Sequence, residues 1–438
     1  MENTSPSEII RRPIAKEVNY DPEYLRLENE RLWTRVWQFA CREEELKKPG
    51  DFVTYDIGED SFIVTRALSG ELKAYYNVCQ HRGRRLTEGC GHTASFRCPF
   101  HGWQWNLAGK NTHVSDAVDW GDSLPRETIA LKAVNVDIWG GFVFINPDPD
   151  CEPLMDFLAP AAKILAPFQI ETMRYGWRKQ IVIGCNWKVG LGAFNEGYHV
   201  RITHSQTLRW SDNCSAAQAM GRHGMFGYPE MQDIFGTGSK RLGFTTDDTR
   251  QAIADFYVYI KKALGAGISE SLCNASQRLP TEVPAGTSPM DTLIELARMA
   301  REEDEARGIP WPNISREEYA AAGIDWHIFP NMILLQSQTN CQGYRIRPNG
   351  GNPDSCIIEV FHLERYPEGD EPCPKNIRND DAEDEEFWGA VMLQDFRQLV
   401  QTQRGTKSRG FEGAKLNPRQ EVAVANFYDC YHKYIDQP

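Results

Sequence analysis

Apolar residues recur at helical intervals over residues 20–47 (YDPEYLRLENERLWTRVWQFACREEELK), where Leu25, Leu32, Val36 and Phe39 are separated by charged positions. The spacing predicts an amphipathic helix. From Gly50 to about Asp148 the pattern changes to short runs rich in β-branched and aromatic residues (DFVTYDI, SFIVTRA, KAYYNV, GGFVFIN), punctuated by Gly, Asp, Ser and Pro. Those runs predict a small all-β module. Beyond Glu152, helical stretches (153–165, 252–264, 290–307) mix with strand-like ones (326–337, 356–366), which is the pattern of an α+β domain with an antiparallel sheet flanked by helices. Residues 265–288 and 367–385, rich in Gly, Pro, Ser or acidic residues, read as loops, and no repeat at a solenoid or propeller period is visible.

A chain of 438 residues is too long for one simple core. The expected organisation is an N-terminal helical part of a catalytic domain (1–45), an inserted β module (46–152) and the remainder of the α+β catalytic domain (153–438). No apolar run is long enough to span a bilayer, and the start, MENTSPSEIIRRPIAKEV, has no apolar stretch after its basic residues. A cytoplasmic location is the expectation. The twelve cysteines are irregularly spaced, as free thiols in a reducing compartment would be. A formal charge of -13 opposes phosphate contacts, so nucleic acid is set aside as a partner.

Candidate chemistry enters in the β module. Cys79 and His81 form a Cys-x-His pair; sixteen residues separate it from Cys98, which forms a Cys-x-x-His pair with His101. Two thiolates for one iron and two imidazoles for the other make the donor set of a Rieske 2Fe-2S cluster. A structural zinc site would use the same atom types, but zinc fingers usually pair Cys with Cys and His with His. The mixed pairs favour the cluster. Gly83 after the first pair, and Pro99, Gly102 and Trp103 around the second, are expected to let two loops close over the metal.

A second set lies in NWKVGLGAFNEGYHVRITH, residues 186–204. A helix here would put Glu196 and Asn195 beside His199 at i−3 and i−4, and the i,i+5 spacing of His199 and His204 predicts that the helix bends or ends just after His199. Two histidines and one carboxylate form the facial triad of oxygen-activating Fe(II), which leaves positions open. The carboxylate is sought in EEFWGAVMLQDFRQLVQTQRG, where Asp395 interrupts an apolar stripe of Trp388, Val391, Leu399 and Thr402. A buried Asp needs a partner, and a metal is one. Asp381 and Asp384 are the fallback candidates.

CQHRG followed by CPFHGW resembles the Rieske non-haem iron (ring-hydroxylating) oxygenases, as does Asn-Trp-Lys ahead of an acid, Tyr-His and a second His five positions on, and Gln-Asp followed by Gln403 and Gly405. Arg84 and Phe100 stand where respiratory Rieske proteins carry two further cysteines, which points to the oxygenases. The resemblance implies that His199, His204 and Asp395 are iron ligands and that Glu196 is a bridging acid, linking His101 of one chain to His199 of the next. Gly192 departs from the acidic or amide residue usual four positions before that acid, a place for which Asn195 is a partial substitute. The resemblance further implies a homotrimer or an α3β3 assembly, electrons from NADH or NADPH through a ferredoxin and/or flavin reductase, O2 as co-substrate, and a small-molecule substrate.

The reaction so implied is dihydroxylation or monooxygenation of an aromatic or largely apolar substrate. Oxidative O- or N-demethylation and oxidation of a quaternary amine are alternatives, the last if aromatic residues form a cage. Phe194, Val200, Trp210, Met220, Met225 and Phe226 are candidate pocket residues. An electron carrier using the cluster alone, or a zinc-stabilised binding protein, would need no second metal set. His92, His113, His223, His327, His362 and His432 have no metal spacing and read as structural or surface residues.

Overall fold

The computed structural model describes residues 13–124, 126–212, 214–228 and 235–437. It divides into two compact units, one made of Leu25–Leu158 with the extreme C-terminus, the other of residues up to Tyr24 with Ala159–Lys433. The first boundary falls at 24/25 rather than 45/46, because the segment expected to be one helix is not. Helix α1 (Pro22–Leu27) runs into a π-helical turn at Glu28–Leu32, and then β1 (Gln38–Arg42) pairs with β10 (Phe142–Asn146). All five residues of β1 are buried. A strand covered on both faces loses the alternation that marks a half-buried one, and so Phe39 imitated a helical position.

The β unit holds a seven-stranded sheet in the order β1-β10-β9-β4-β3-β2-β5 and a three-stranded one, β6-β7-β8. Its other strands are β2 (Asp51–Ile57), β3 (Asp60–Arg66), β4 (Leu72–Tyr76), β5 (Cys90–His92), β6 (Ser95–Arg97), β7 (Gln104–Asn106), β8 (Asn111–His113) and β9 (Ala133–Trp139). The Cys79 loop follows β4 and the Cys98 loop joins β6 to β7. Both cysteines lie in one core with Phe52, Phe96, Trp103 and Trp105.

The second unit is built on an eight-stranded sheet in the order β12-β13-β14-β15-β16-β17-β11-β18, antiparallel except where β18 runs parallel to β11. The strands are β11 (Arg174–Ile183), β12 (Ala216–Met220), β13 (His223–Gly227), β14 (Asp325–Ile328), β15 (Met332–Gln336), β16 (Asn340–Asn349), β17 (Asn352–Glu364) and β18 (Asn376–Arg378). Helices follow in chain order: α2 (Leu154–Phe157) in the β unit, then α3 (Ala161–Leu165), α4 (Trp187–Ala193), α5 (Val200–Thr203), α6 (Thr249–Leu264), α7 (Glu270–Glu282), α8 (Pro289–Ala306), α9 (Arg316–Ala322), α10 (Glu385–Trp388), α11 (Ala390–Thr406) and α12 (Val422–Ile435). The single helix expected over 153–165 is thus two short ones.

Residues 265–288, expected as a loop, contain α7. Ser269 caps it by accepting from Leu272 N–H, and its buried side carries Ser271, Cys273, Ala275, Ser276 and Leu279. On that face Ala275 and Leu279 share a core with Ile253, Leu296 and Met299, and it was the Gly, Pro and Ser of the segment that made it read as a loop. Residues 367–385 are irregular apart from β18 and the start of α10.

A buried ion pair holds the strands of this sheet together. Glu359 on β17 takes Arg345 Nε at 2.6 Å and Nη2 at 2.5 Å, and Asn376 Nδ2 donates to its other oxygen at 2.9 Å. Burial alone would raise the Glu359 pKa; Arg345, Arg347 and Arg178 outweigh it and hold it at about 2. A depressed pKa contributes stability that is complete above the ordinary value of 4.5 and is lost as pH falls towards 2. Glu359→Ala removes the carboxylate that accepts from buried Arg345 and is expected to cost about 3–5 kcal/mol in denaturant unfolding at pH 7. The variant should also lack this carboxylate's share of the stability lost below pH 4.5, so its stability should fall less steeply with acid than that of the wild type.

Candidate metal centres

The two cluster loops share one backbone design. Cys79 N–H donates to the Arg84 carbonyl (2.8 Å) while Gly83 N–H donates back to the Cys79 carbonyl (3.0 Å); Cys98, Trp103 and Gly102 repeat the pattern with 2.8 and 3.0 Å. In each loop the glycine four residues after the cysteine has a left-handed φ, +77° at Gly83 and +75° at Gly102. A Cβ at Gly83 would meet no atom within 4 Å, so what that position requires is the conformation and not the small size first inferred.

These turns bring the four predicted ligands together. Cys79 and Cys98 are buried in one core, each thiol near enough to act on the other, and the His81 and His101 rings lie 4.6 Å apart. Burial pushes the Cys79 thiol up, opposed by the backbone N–H groups of His81 and Arg82 aimed at its sulfur. Burial and the neighbouring His101 and Arg82 charges push His81 down, favouring the neutral ring that a metal needs. His81 Nδ1 is buried with no hydrogen-bond partner. An orphaned ring nitrogen and two buried thiols carried by the same pair of loops fit a 2Fe-2S cluster, and Trp103, stacked on His81 at 5.0 Å, fixes the ring. Trp120, edge-on to His81 at 5.8 Å, was not foreseen.

In the second unit, ligand atoms of His199, His204 and Asp395 lie within 4.8 Å of one another. The path to that arrangement differs from the expected helix. Asn186 caps α4 by accepting from Lys188 N–H, but α4 ends at Ala193, before Asn195, and α5 begins only after His199. Glu196 therefore does not act through helical i−3 geometry. It builds a turn, one oxygen accepting from the backbone N–H groups of Tyr198 and His199, the other meeting His199 Nδ1 at 2.7 Å. Asn195 is 1% exposed and bonds to neither histidine. The stripe on α11 also shifts: Trp388 belongs to α10, and Gln403 rather than Thr402 is buried below Leu399. Asp384 accepts from Phe387 N–H as the cap of α10, and Asp381 accepts from Glu383 N–H, so both fallback acids have local roles.

Both histidines are held alike. His204 Nδ1 lies 2.8 Å from Gln394 Oε1, whose orientation Gln206 fixes by donating to the same oxygen at 2.9 Å. Nδ1 is then the protonated nitrogen, and Nε2 presents its lone pair towards Asp395 Oδ1, 2.9 Å away. His199 is anchored through Nδ1 by Glu196 and turns Nε2 towards the same oxygen at 3.8 Å. Burial lowers the His199 pKa, but the hydrogen bond to Glu196 and the charges of Glu196 and Asp395 outweigh it and raise it. Two imidazoles and one carboxylate, each imidazole oriented from behind, fit a ferrous ion with open positions.

Gln394 carries no metal-ligand signature in the sequence, and only its place beside Asp395 could have marked it. Gln394→Leu, which removes the acceptor behind His204, is expected to weaken iron binding by about 10–100-fold, read by iron retention during dialysis against a chelator.

The sequence profile for the catalytic domain of the ring hydroxylating alpha subunit matches residues 170–437. The chain belongs to that family. A Rieske [2Fe-2S] domain matches residues 36–122, so the ring-hydroxylating alpha subunit has both expected modules. The large oxygenase component of naphthalene 1,2-dioxygenase from Pseudomonas putida is 33% identical over 211 residues, and the oxygenase subunit of glycine betaine monooxygenase from Chromohalobacter salexigens is 32% identical over 189. These matches cover 46% and 43% of this chain and 46% and 42% of the relatives, so it spans less than half of their length. Solved structures share the fold over nearly its whole length. A naphthalene 1,2-dioxygenase bound to phenanthrene aligns with a TM-score of 0.68 at 19% identity, covering 98% of this chain and 94% of that one. A quaternary ammonium Rieske monooxygenase with L-carnitine aligns with a TM-score of 0.66 at 16% identity, covering 99% of each. Among the described residues no helix is long and apolar enough to cross a membrane.

Proposed function

We propose that this alpha subunit is the terminal oxygenase of a multicomponent system, placing oxygen from O2 into an aromatic or largely apolar small molecule with electrons from NAD(P)H. The observation that carries the reading is that one chain holds both donor sets: Cys79, His81, Cys98 and His101 in the β unit, and His199, His204 and Asp395 in the second unit. When bound, a cluster supplies one-electron transfer and a ferrous ion supplies dioxygen activation. An electron carrier would have no use for the second set.

In this reading His199 and His204 offer Nε2 and Asp395 a carboxylate oxygen, while Glu196 and Gln394 hold the rings in one tautomer and one orientation. Phe194, stacked on Tyr344 at 4.5 Å with an interplanar angle of 18°, supplies apolar surface for a flat or alkylated substrate. A ferredoxin and/or flavin reductase delivers electrons at the cluster loops. Copies of the chain, with or without a β subunit, close a ring in which Glu196 links His199 to His101 of the next copy.

Oxygen uptake with a generic reductase and NADH, against arenes, aryl ethers, steroids and quaternary amines, tests the reading. Substrate-dependent uptake, with label from 18O2 in the product, is expected. Cluster reduction with no product from any class would contradict it.

A further inference from the structure

The register of the large sheet shows which side chains lie under the iron-binding segments. Phe226 pairs with Asp325, His327 with Ile333, Leu335 with Gln342 and Ile333 with Tyr344, so Phe226, Asp325, Leu335, Gln342 and Tyr344 share one face. That face carries α4 and α11. A Cβ on Gly190 would sit 3.3 Å from Ile346, Tyr344 donates to Met392 Sδ at 3.6 Å, and Tyr344 stacks on Phe194.

Two observations mark a built recess on it. Leu335, on a central strand, remains partly exposed although nearly every residue around it is buried, so the face is hollow there. Beside it, Asp325 is 2% exposed, and among the described residues it has no hydrogen bond and no ion pair. The amide of Asn195, on the residue before Glu196, is likewise buried with neither atom satisfied. Its oxygen lies 3.3 Å from where a Gly224 Cβ would stand, and Gly224 is two residues from Phe226 on β13. Native proteins rarely bury a carboxyl and an amide without partners.

The chemistry of the recess selects what completes it. Burial and the charge of Glu196 push the Asp325 carboxyl well above the usual carboxylate range, and no Lys or Arg offsets them. An anionic group would meet two carboxyls, and a plain hydrocarbon would leave Asp325 unpartnered. A cation would pair with the acid while its alkyl groups lay on the Phe226 and Tyr344 rings. We propose that Asp325 is a specificity-determining residue that receives a positively charged nitrogen of the substrate, a protonated or quaternary amine. The proposal rests on the oxygenase reading, because the recess is taken as the substrate site.

The test is calorimetric titration of the anaerobic, metal-loaded protein with choline and with 3,3-dimethylbutan-1-ol, which has the same shape without the charge. Wild type should bind choline at least about tenfold more tightly, about 1.4 kcal/mol, and Asp325→Asn should bring that ratio close to one while leaving the neutral alcohol unchanged. Equal affinity in the wild type, including no binding of either, or an unchanged ratio in the variant, overturns the proposal. Thermal unfolding supplies a second readout. An acid without an internal partner can be replaced without lowering Tm, so Tm of Asp325→Asn and Asp325→Ser should equal or exceed that of wild type. A fall of several degrees in both would show that Asp325 has a structural partner and would also overturn it. Iron and acid-labile sulfide measured in the same samples separate failure of this inference from failure of the oxygenase reading.

Discussion

Asp395→Ala is expected to lose the mononuclear iron and keep the cluster, with iron content falling from about three to about two per chain and the visible spectrum of the cluster unchanged. Asp395 is 5% exposed, and its Oδ1 is the atom towards which both His204 Nε2 (2.9 Å) and His199 Nε2 (3.8 Å) point. Removing it deletes one of three donors and the charge that balances a divalent cation. The loss of turnover should exceed the roughly 10–100-fold that removing an outer orienting residue costs. The Rieske unit has its own sheets and its own core around Cys79 and Cys98, so a defect at Asp395 should not reach it. Loss of cluster absorbance in this variant would contradict that independence.

Glu196→Gln separates two roles that one carboxylate combines. One oxygen caps the turn by accepting from Tyr198 and His199 N–H, and the other orients His199. Glutamine has one acceptor oxygen where glutamate has two, so the variant can satisfy the turn or the ring but not both. If Glu196 also carries electrons or protons between centres of neighbouring chains, turnover should fall on the order of a hundredfold or more while three irons remain. Electron transfer from a pre-reduced cluster, followed by stopped-flow absorbance, should slow in step. A residue that only shaped the turn would instead show a lower iron content and an unchanged transfer rate in the molecules that retained iron.

The two donor sets were legible because metal ligands are restricted to few residue types at spacings that loops and helices impose. Cys79, His81, Cys98 and His101 announce themselves, as do His199 and His204. The orienting layer was only half visible. Glu196 was foreseen, but as part of a helix; the structure makes it a turn-builder, because the chain leaves helical geometry at Phe194, before Asn195. Gln394 was not foreseen, since an amide that orients an imidazole follows no spacing rule and meets its partner 190 residues away.

The α+β class and the β module followed from periodicity, which reports burial on one face. It failed where burial takes another form. Strand β1 is covered on both faces and so read as the end of a helix, and α7, which sets Ala275 and Leu279 into a core, lies in a segment whose Gly, Pro and Ser read as a loop. Asp325 lay just before a stretch read as plain strand (326–337), and nothing local distinguishes an acid that faces solvent from one that faces a recess. Only the pairing of β14 with β13 and β15 sets its direction.

The proposed activity requires two different iron sites in one chain, and counting the irons tests it most directly. Protein purified anaerobically should contain about three irons and two acid-labile sulfides per chain, falling to about two irons in Asp395→Ala and to about one iron without sulfide in Cys98→Ser. Two irons with two sulfides in the wild type, or stoichiometric zinc in place of iron, would contradict it.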